Sequence, residues 1–373
     1  MEKLICASCG KEYLPQQREW KCSCGGFFDL HFTFSLDREK IKSRGCTMWR
    51  YREALPVTDT GNIVSFGEGF TPLLEIGINS SEILVKQEQL FPSGSYKDRG
   101  ASLLVSKMKE LGIRRVVEDS SGNAGAAVAA YCAKAGIDCD IYVPADTSRG
   151  KLAQIQMYGA SLVKTPGSRE ATAKAVLLSA ERIYYASHSW NPYFFQGTKT
   201  FAYEVSEQLG WRSPDTVILP AGNGTLLLGA YIGFTELKNA GIISTMPKLI
   251  GVQAENCAPL YAAFSQGKLT PVKIISEKTI AEGIAIAEPL RGAQMLEAVR
   301  KSGGEFIAVD EKEIKDSFTM MASQGYFIEP TSAAVVAGVR KYLDAKGKKD
   351  SEIIVTAFTG HGLKAVEKII SWL

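Results

Sequence analysis

From residue 116 onward the chain alternates short apolar runs with longer amphipathic or alanine-rich stretches. Val116-Val117, residues 140–144 and residues 160–163 read as strands, since brief apolar runs bounded by turn residues suit a sheet covered on both faces. Between and after them, residues 126–136, 151–158 and 169–184 have helical length and spacing. A second series follows Gly210, with strands expected at 216–219, 248–253, 306–309 and 353–357. Helices are expected there at 226–237, near 291–302, and at 311–324 and 331–345. This alternation predicts an α/β protein with two doubly wound lobes and a cleft between them. The expected boundaries are 1–30 for a small N-terminal module, then 31–80 for a connector and the start of the large lobe. The small α/β lobe takes 81–200 and the rest of the large lobe 201–373.

One polar position inside this pattern changes the picture. Ser93-Gly94-Ser95-Tyr96-Lys97-Asp98-Arg99-Gly100 sets a lysine among small residues, shortly after the apolar strand Ile83-Leu84-Val85. Apolar residues at 103, 104, 105, 108 and 111 predict that a helix begins just beyond it. The positive end of a helix disfavours a cation, which suits an amine used as a nucleophile. A solvated lysine in a turn is the plainer alternative, and three later stretches weigh against it.

Ala221-Gly222-Asn223-Gly224-Thr225 joins a strand to a helix, where backbone N–H groups can converge on one anion. It lacks both the P-loop and the G-x-G-x-x-G spacing, so a single phosphate fits better than a nucleotide. Ser120-Ser121-Gly122-Asn123 has the same placement, and its hydroxyl, amide and N–H groups suit a carboxylate or a phenolic oxygen. Thr359, in Phe358-Thr359-Gly360-His361-Gly362-Leu363-Lys364 after the last strand, offers a neutral hydroxyl to a ring nitrogen.

Composition narrows the classes. The chain has 373 residues, a net charge of +3 and no long basic run, so a nucleic-acid surface is not indicated. No apolar run is long enough to span a bilayer, and the chain reads as cytoplasmic with no membrane partner. With three histidines, His31, His188 and His361, chemistry on several imidazole ligands is disfavoured. Of eight cysteines, Cys46, Cys132, Cys139 and Cys257 are scattered and read as reduced thiols. The other four form Cys6-x2-Cys9 and Cys22-x-Cys24-Gly25-Gly26, two close pairs able to converge into a tetrahedral S4 zinc site. Disordered free thiols are the alternative. Four sulfurs leave no open coordination position, so such a zinc ribbon over 1–30 would be structural.

Taken together, these motifs resemble pyridoxal-phosphate enzymes of fold type II, tryptophan synthase β-like in architecture, and most closely the threonine synthase family. The likeness runs through the cysteine start, Met48-Trp49-Arg50-Tyr51-Arg52, Gly67-Glu68-Gly69-Phe70-Thr71-Pro72-Leu73-Leu74 and Gly94-Ser95-Tyr96-Lys97-Asp98-Arg99-Gly100. It continues in Ser121-Gly122-Asn123, Asn191-Pro192-Tyr193, Gly197-Thr198-Lys199-Thr200, Gly222-Asn223-Gly224, Glu329-Pro330-Thr331-Ser332-Ala333-Ala334 and Thr359-Gly360-His361-Gly362-Leu363-Lys364.

The resemblance implies that Lys97 holds pyridoxal 5'-phosphate covalently and, once freed by the substrate amine, moves the α-proton. It implies Asn123 at the phenolic oxygen, Gly222, Asn223, Gly224, Thr225 and Leu226 at the phosphate, and Thr359 at the ring nitrogen. Ser120, Ser121 and Gly122 would receive the substrate carboxylate, with Asn191 and Lys199 as further substrate contacts. The implied activity is a carbon–oxygen lyase that turns O-phospho-L-homoserine and water into L-threonine and phosphate, in a homodimer or larger homo-oligomer. Two positions depart from the family's common pattern: Phe194 where an arginine is common, and Ala124 where a threonine is. They keep open a β-eliminating or β-replacing enzyme acting on an unphosphorylated amino acid, as in threonine/serine dehydratases. A threonine synthase would need compensation from Lys199, Arg149 or Lys151.

Overall fold

The computed structural model describes residues 2–16, 18–147, 149–167 and 169–372, with Arg149, Lys151, Arg169 and Glu170 described by backbone alone. Two compact units result, one built from residues up to Gly69 with Lys97–Thr198, the other from Phe70–Tyr96 with residues from Lys199 onward.

In the first unit a parallel sheet runs in the order Ser161–Thr165, Asp138–Pro144, Arg115–Glu118, Tyr184–Tyr185. The helices Lys97–Glu110 and Asn123–Ala135 pack on each other. The second is alanine-rich and buried from Ala124 to Cys132, which lets it approach closely. It stops at Gly136, whose φ of 65° supplies the left-handed cap that a residue with a Cβ adopts only at a cost. An antiparallel ribbon of Glu12–Tyr13, Lys3–Cys6 and Phe28–His31 completes this unit, and its Leu4, Cys6 and Phe28 join the main core. The Gly67–Leu74 stretch, which alone reads as a turn, is pinned by Glu68. That carboxylate is buried and accepts from Trp49 Nε1 (3.2 Å), Ser102 Oγ (2.5 Å) and Phe66 N (2.6 Å).

The second unit holds a six-stranded sheet in the order Phe306–Val309, Lys248–Ala254, Thr216–Pro220, Ile354–Ala357, Ser81–Lys86, Leu73–Ile78. The first five are parallel, and the last pairs antiparallel through a turn at Asn79 and Ser80 (φ 47° and 61°) that reverses the chain in two residues. Strand Ser81–Lys86 pairs with Ile354–Ala357 in the register Val355↔Leu84, so residues 81–96 belong to this unit. The sequence reading placed them in the small lobe, because a strand inserted from far along the chain leaves no local mark. The strand's last residue, Lys86, is fully buried against Glu204 at 3.0 Å and donates to Thr71 O and Gln208 Oε1.

Two further differences have physical causes. The helix expected over 169–184 ends at Ser179, and Tyr184–Tyr185 is a strand too short to show alternation. The helices Pro192–Thr198 and Thr200–Gln208 have no expected counterpart. The first is buried at every residue, so it lacks the one-sided stripe that announces a helix. Among the described residues no helix is long and apolar enough to cross a membrane.

Candidate active site

In the first unit Lys97 opens the helix Lys97–Glu110, as its spacing predicts, and is half-buried. Its Nζ lies 5.8 Å from the centre of the Phe194 ring. Phe194 is fully buried, and a Cβ added at Gly100 would come within 2.2 Å of its Cε1, so the glycine admits the ring against the helix. The helix Pro192–Thr198 approaches as closely: a Cβ at Gly197 would sit 2.1 Å from Arg99 O. Phe194 also meets His188 edge-on at 6.1 Å, and the buried His188 pairs through Nδ1 with Glu118 Oε1 at 2.7 Å. In the sequence nothing local marks this partner of His188, since Glu118 lies 70 positions away.

The Ser120-Ser121-Gly122 loop leads into the helix Asn123–Ala135, with Gly122 at its N-cap. Ser120 and Ser121 are half-buried and Gly122 is exposed. A Cβ at Gly125 would stand 1.8 Å from Ser120 O, so only glycine permits the loop to fold over the first turn. Half-exposed hydroxyls above the N–H groups of a first helical turn suit a carboxylate. Asn191 is engaged locally, donating to Tyr184 Oη (2.8 Å) and accepting from Tyr193 N (3.1 Å).

In the second unit Gly224 caps the helix Thr225–Asn239 with φ 77°. A Cβ there would meet Met295 Sδ at 2.4 Å, and one at Gly222 would meet Gly283 O at 2.8 Å. Leu226, on the same first turn, is buried, and Asn223 lies in the loop. Tyr96, the residue before Lys97, accounts for two links in this unit: its N–H donates to Thr359 O (3.1 Å) and its hydroxyl pairs with Thr225 Oγ1 at 2.7 Å. Thr359 is buried and bonded to Glu329 Oε1 (2.9 Å) and Ser332 Oγ (3.0 Å). Lys199 is fully buried with its ammonium on Glu236 Oε1 at 2.8 Å, and burial lowers its pKa. The side chains of Arg149 and Lys151 lie outside the described residues.

Residues 64–360 match the family described as pyridoxal-phosphate dependent enzyme. The chain belongs to the pyridoxal-phosphate-dependent enzymes. Within them it falls in the threonine synthase family. It is 37% identical to a threonine synthase of Methanocaldococcus jannaschii over 96% of this chain and 92% of that protein. It is likewise 37% identical to one of Methanosarcina acetivorans, over 99% and 94%. Among solved structures it resembles a maize serine racemase (TM-score 0.69, 22% identity, 81% of this chain and 92% of that one). It also resembles the processed threonine deaminase isoform 2 of Solanum lycopersicum (TM-score 0.70, 21% identity, 91% and 90%). At these identities the structural likeness speaks for the fold.

The residues of this pyridoxal-phosphate enzyme fit such a cofactor. Ser95, two residues before Lys97, is fully buried, and its hydroxyl has no hydrogen-bond partner among the described residues. An orphaned buried hydroxyl is costly unless a ligand satisfies it. Gly222 and Gly224 leave no space for a Cβ, and their corner opens onto a 15-residue helix whose first N–H groups lack intrahelical acceptors. Neither Ser95 nor Glu329 was given a role from sequence, though both sit inside the quoted motifs. Adjacency to Lys97 was the signal for the first; nothing local signals the second.

The N-terminal cysteines also converge. The sulfurs of Cys6, Cys9, Cys22 and Cys24 all lie within 4.8 Å of one another, with Cys6–Cys24 at 3.5 Å and Cys9–Cys22 at 3.6 Å. Gly10 (φ 72°) and Gly25 (φ 88°) make the two turns that bring them together. Backbone N–H donation at Cys24 and the Tyr13 hydroxyl at 3.2 Å hold the Cys22 thiol down at about 6.

Proposed function

We propose that this protein is a threonine synthase, a pyridoxal-phosphate-dependent lyase that converts O-phospho-L-homoserine and water to L-threonine and phosphate. The observation that carries the reading is Lys97 at the head of its helix, within a chain that matches threonine synthases over nearly its whole length. When bound, the cofactor supplies an electron sink for the substrate's α-carbon. Lys97 holds it covalently and afterwards carries the α-proton as a general base. Asn123 bonds the phenolic oxygen, and the N–H groups of residues 222–226 with the Thr225 hydroxyl hold the phosphate. Ser120, Ser121 and Gly122 fix the substrate carboxylate, orienting the α-hydrogen towards the lysine amine. Incubation with O-phosphohomoserine is expected to release phosphate and threonine in equal amounts. Oxo-acid and ammonia from serine or threonine, with no turnover of the phospho-substrate, would instead mark a dehydratase.

Phe194 and Ala124 count for less against this reading than their sequence positions imply. Both are buried, and Phe194 fills the space against Gly100 and His188. Phe194→Arg is therefore expected to lose activity on O-phosphohomoserine. It would replace packed ring area with a buried cation near Lys97, at a stability cost of about 3 kcal/mol or more. Activity assays together with a urea melt check both; improved turnover would contradict this account. Lys199 is paired with Glu236 at 2.8 Å, a contact within the second unit.

We also propose that the ribbon binds structural zinc. A tetrahedral Zn–S4 centre with bonds of about 2.3 Å separates its sulfurs by about 3.8 Å, close to the spacing the four cysteines already have. Metal analysis should find about one zinc per chain, since an S4 ribbon site takes a single ion. Chelation should lower the unfolding temperature, while Cys24→Ser should lose the metal and keep the cofactor.

A further inference from the structure

Glu2 ties together two helices of the first unit. Its Oε1 accepts from Tyr193 Oη at 2.6 Å, and its Oε2 accepts from Lys107 Nζ at 3.2 Å. Tyr193 lies on the helix Pro192–Thr198 and Lys107 on the helix Lys97–Glu110, so one carboxylate outside both helices holds each of them. Glu2 immediately precedes the ribbon strand Lys3–Cys6, and another ribbon strand, Phe28–His31, packs on the helix Pro192–Thr198. Leu4, Cys6, Cys22 and Phe28 share one buried core with Tyr193 and Phe194. The ribbon therefore backs the helix that places Phe194.

The two bonds of Glu2 differ in what depends on them. Tyr193 is 2% exposed, and burial together with the Glu2 carboxylate pushes its phenol pKa up. The hydroxyl thus keeps its hydrogen, and Glu2 is its acceptor; without Glu2 this buried donor has none among the described residues. Lys107 keeps a second carboxylate, Glu110, at 2.8 Å. Loss of Glu2 would leave that cation paired and untie only the phenol.

Towards Lys97 the packing has no slack. Added Cβ atoms at Gly100 and Gly197 would meet Phe194 Cε1 at 2.2 Å and Arg99 O at 2.1 Å, and the Phe194 ring centre lies 5.8 Å from Lys97 Nζ. In so close a contact a shift of the helix Pro192–Thr198 passes directly to the ring beside the lysine. Resting on the reading of Lys97 as the cofactor lysine, we infer that Glu2 and Tyr193 are positioning residues for it. Their bond braces the helix Pro192–Thr198 from the ribbon and so fixes the Phe194 ring against which Lys97 is set. The brace is made of side chains alone and does not require a metal on the cysteines.

The test uses the cofactor-loaded protein. Borohydride reduction and peptide mapping first show the adduct on Lys97; its absence would remove the cofactor reading and this inference with it. With the adduct present, Tyr193→Phe keeps the ring and its contact with Lys107 Nζ at 5.3 Å, and removes only the hydroxyl. It is expected to lower kcat for threonine formation about 10-fold, below the roughly 100-fold that a 1 Å misplacement can cost. KM for O-phosphohomoserine should change by less than about twofold, because the lost interaction is not a substrate contact. The circular dichroism of the cofactor's absorbance band should change as well, since it reports how the group on Lys97 is set. Glu2→Ala should match Tyr193→Phe, and the double variant should lose no more than either alone, as two ends of one bond require. A bond that serves only the fold would lower the melting temperature and leave kcat and the cofactor signal of the folded enzyme at wild-type values. That result in Tyr193→Phe, or additive losses in the double variant, would overturn this inference while leaving the cofactor reading intact. Tyr193→Phe decides the matter alone if Glu2→Ala does not fold.

Discussion

Lys97→Ala should leave a folded protein that binds its cofactor reversibly and releases no threonine. General acid–base participation of a placed side chain is worth about 10²–10⁴-fold. Loss of the covalent link removes positioning as well, so the fall in turnover should reach the upper end of that range or beyond. The fold should tolerate the change, because Lys97 is half-buried and its Nζ stands over the Phe194 ring at 5.8 Å. A cation over a ring face at a partly exposed site contributes roughly 0.5–1 kcal/mol. Lys97→Arg separates the two effects: it keeps the cation beside Phe194 and cannot act as an amine. Phosphate release, borohydride adduct mapping and a thermal melt on all three proteins measure the contributions. Threonine formation by Lys97→Ala at more than about a hundredth of the wild-type rate, the low end of an acid–base contribution, would end the proposal.

What the chain disclosed before its structure was known follows from how local each signal is. Lys97, the Gly222–Gly224 corner and the Ser120–Asn123 loop all stand at strand-to-helix junctions, and a junction is written in consecutive residues. The parallel strands Thr216–Pro220 and Lys248–Ala254 are buried on both faces and read as plain apolar runs. The spacing of the four N-terminal cysteines is equally local. By contrast, the assignment of Ser81–Lys86 to the second sheet depends on pairing with residues near 355. The Tyr96–Thr225 bond spans 129 positions and the Thr359–Glu329 bond 30. Neither leaves a periodicity. Phe194 shows the converse: its sequence position suggested a missing phosphate contact, and only the packing of Gly100 reveals that the ring fills a buried space.

Gly224→Ala should weaken cofactor binding by about 10- to 100-fold, the equivalent of one charge-assisted hydrogen bond to the phosphate. Two strains combine there. A φ of 77° is left-handed backbone, which costs an L-residue such as alanine roughly 1–2 kcal/mol. The new methyl would also stand 2.4 Å from Met295 Sδ and 2.8 Å from its Cγ, and overpacking of that kind costs about 1–3 kcal/mol. The chain can relieve both only by moving the corner, which swings the N–H groups of residues 222–226 away from their common target. A methionine can often yield, but Met295 is fully buried and has little room to turn. Gly224→Asn therefore discriminates between the causes. Asparagine tolerates the left-handed region better than alanine, so it should bind the cofactor more tightly than the alanine variant if backbone strain dominates. It carries the same Cβ, so it should be no better if the Met295 contact dominates, which the burial of that side chain favours. Absorbance titration of the cofactor-free proteins measures the affinities, and an unchanged affinity in Gly224→Ala would remove the 222–226 corner as the phosphate site.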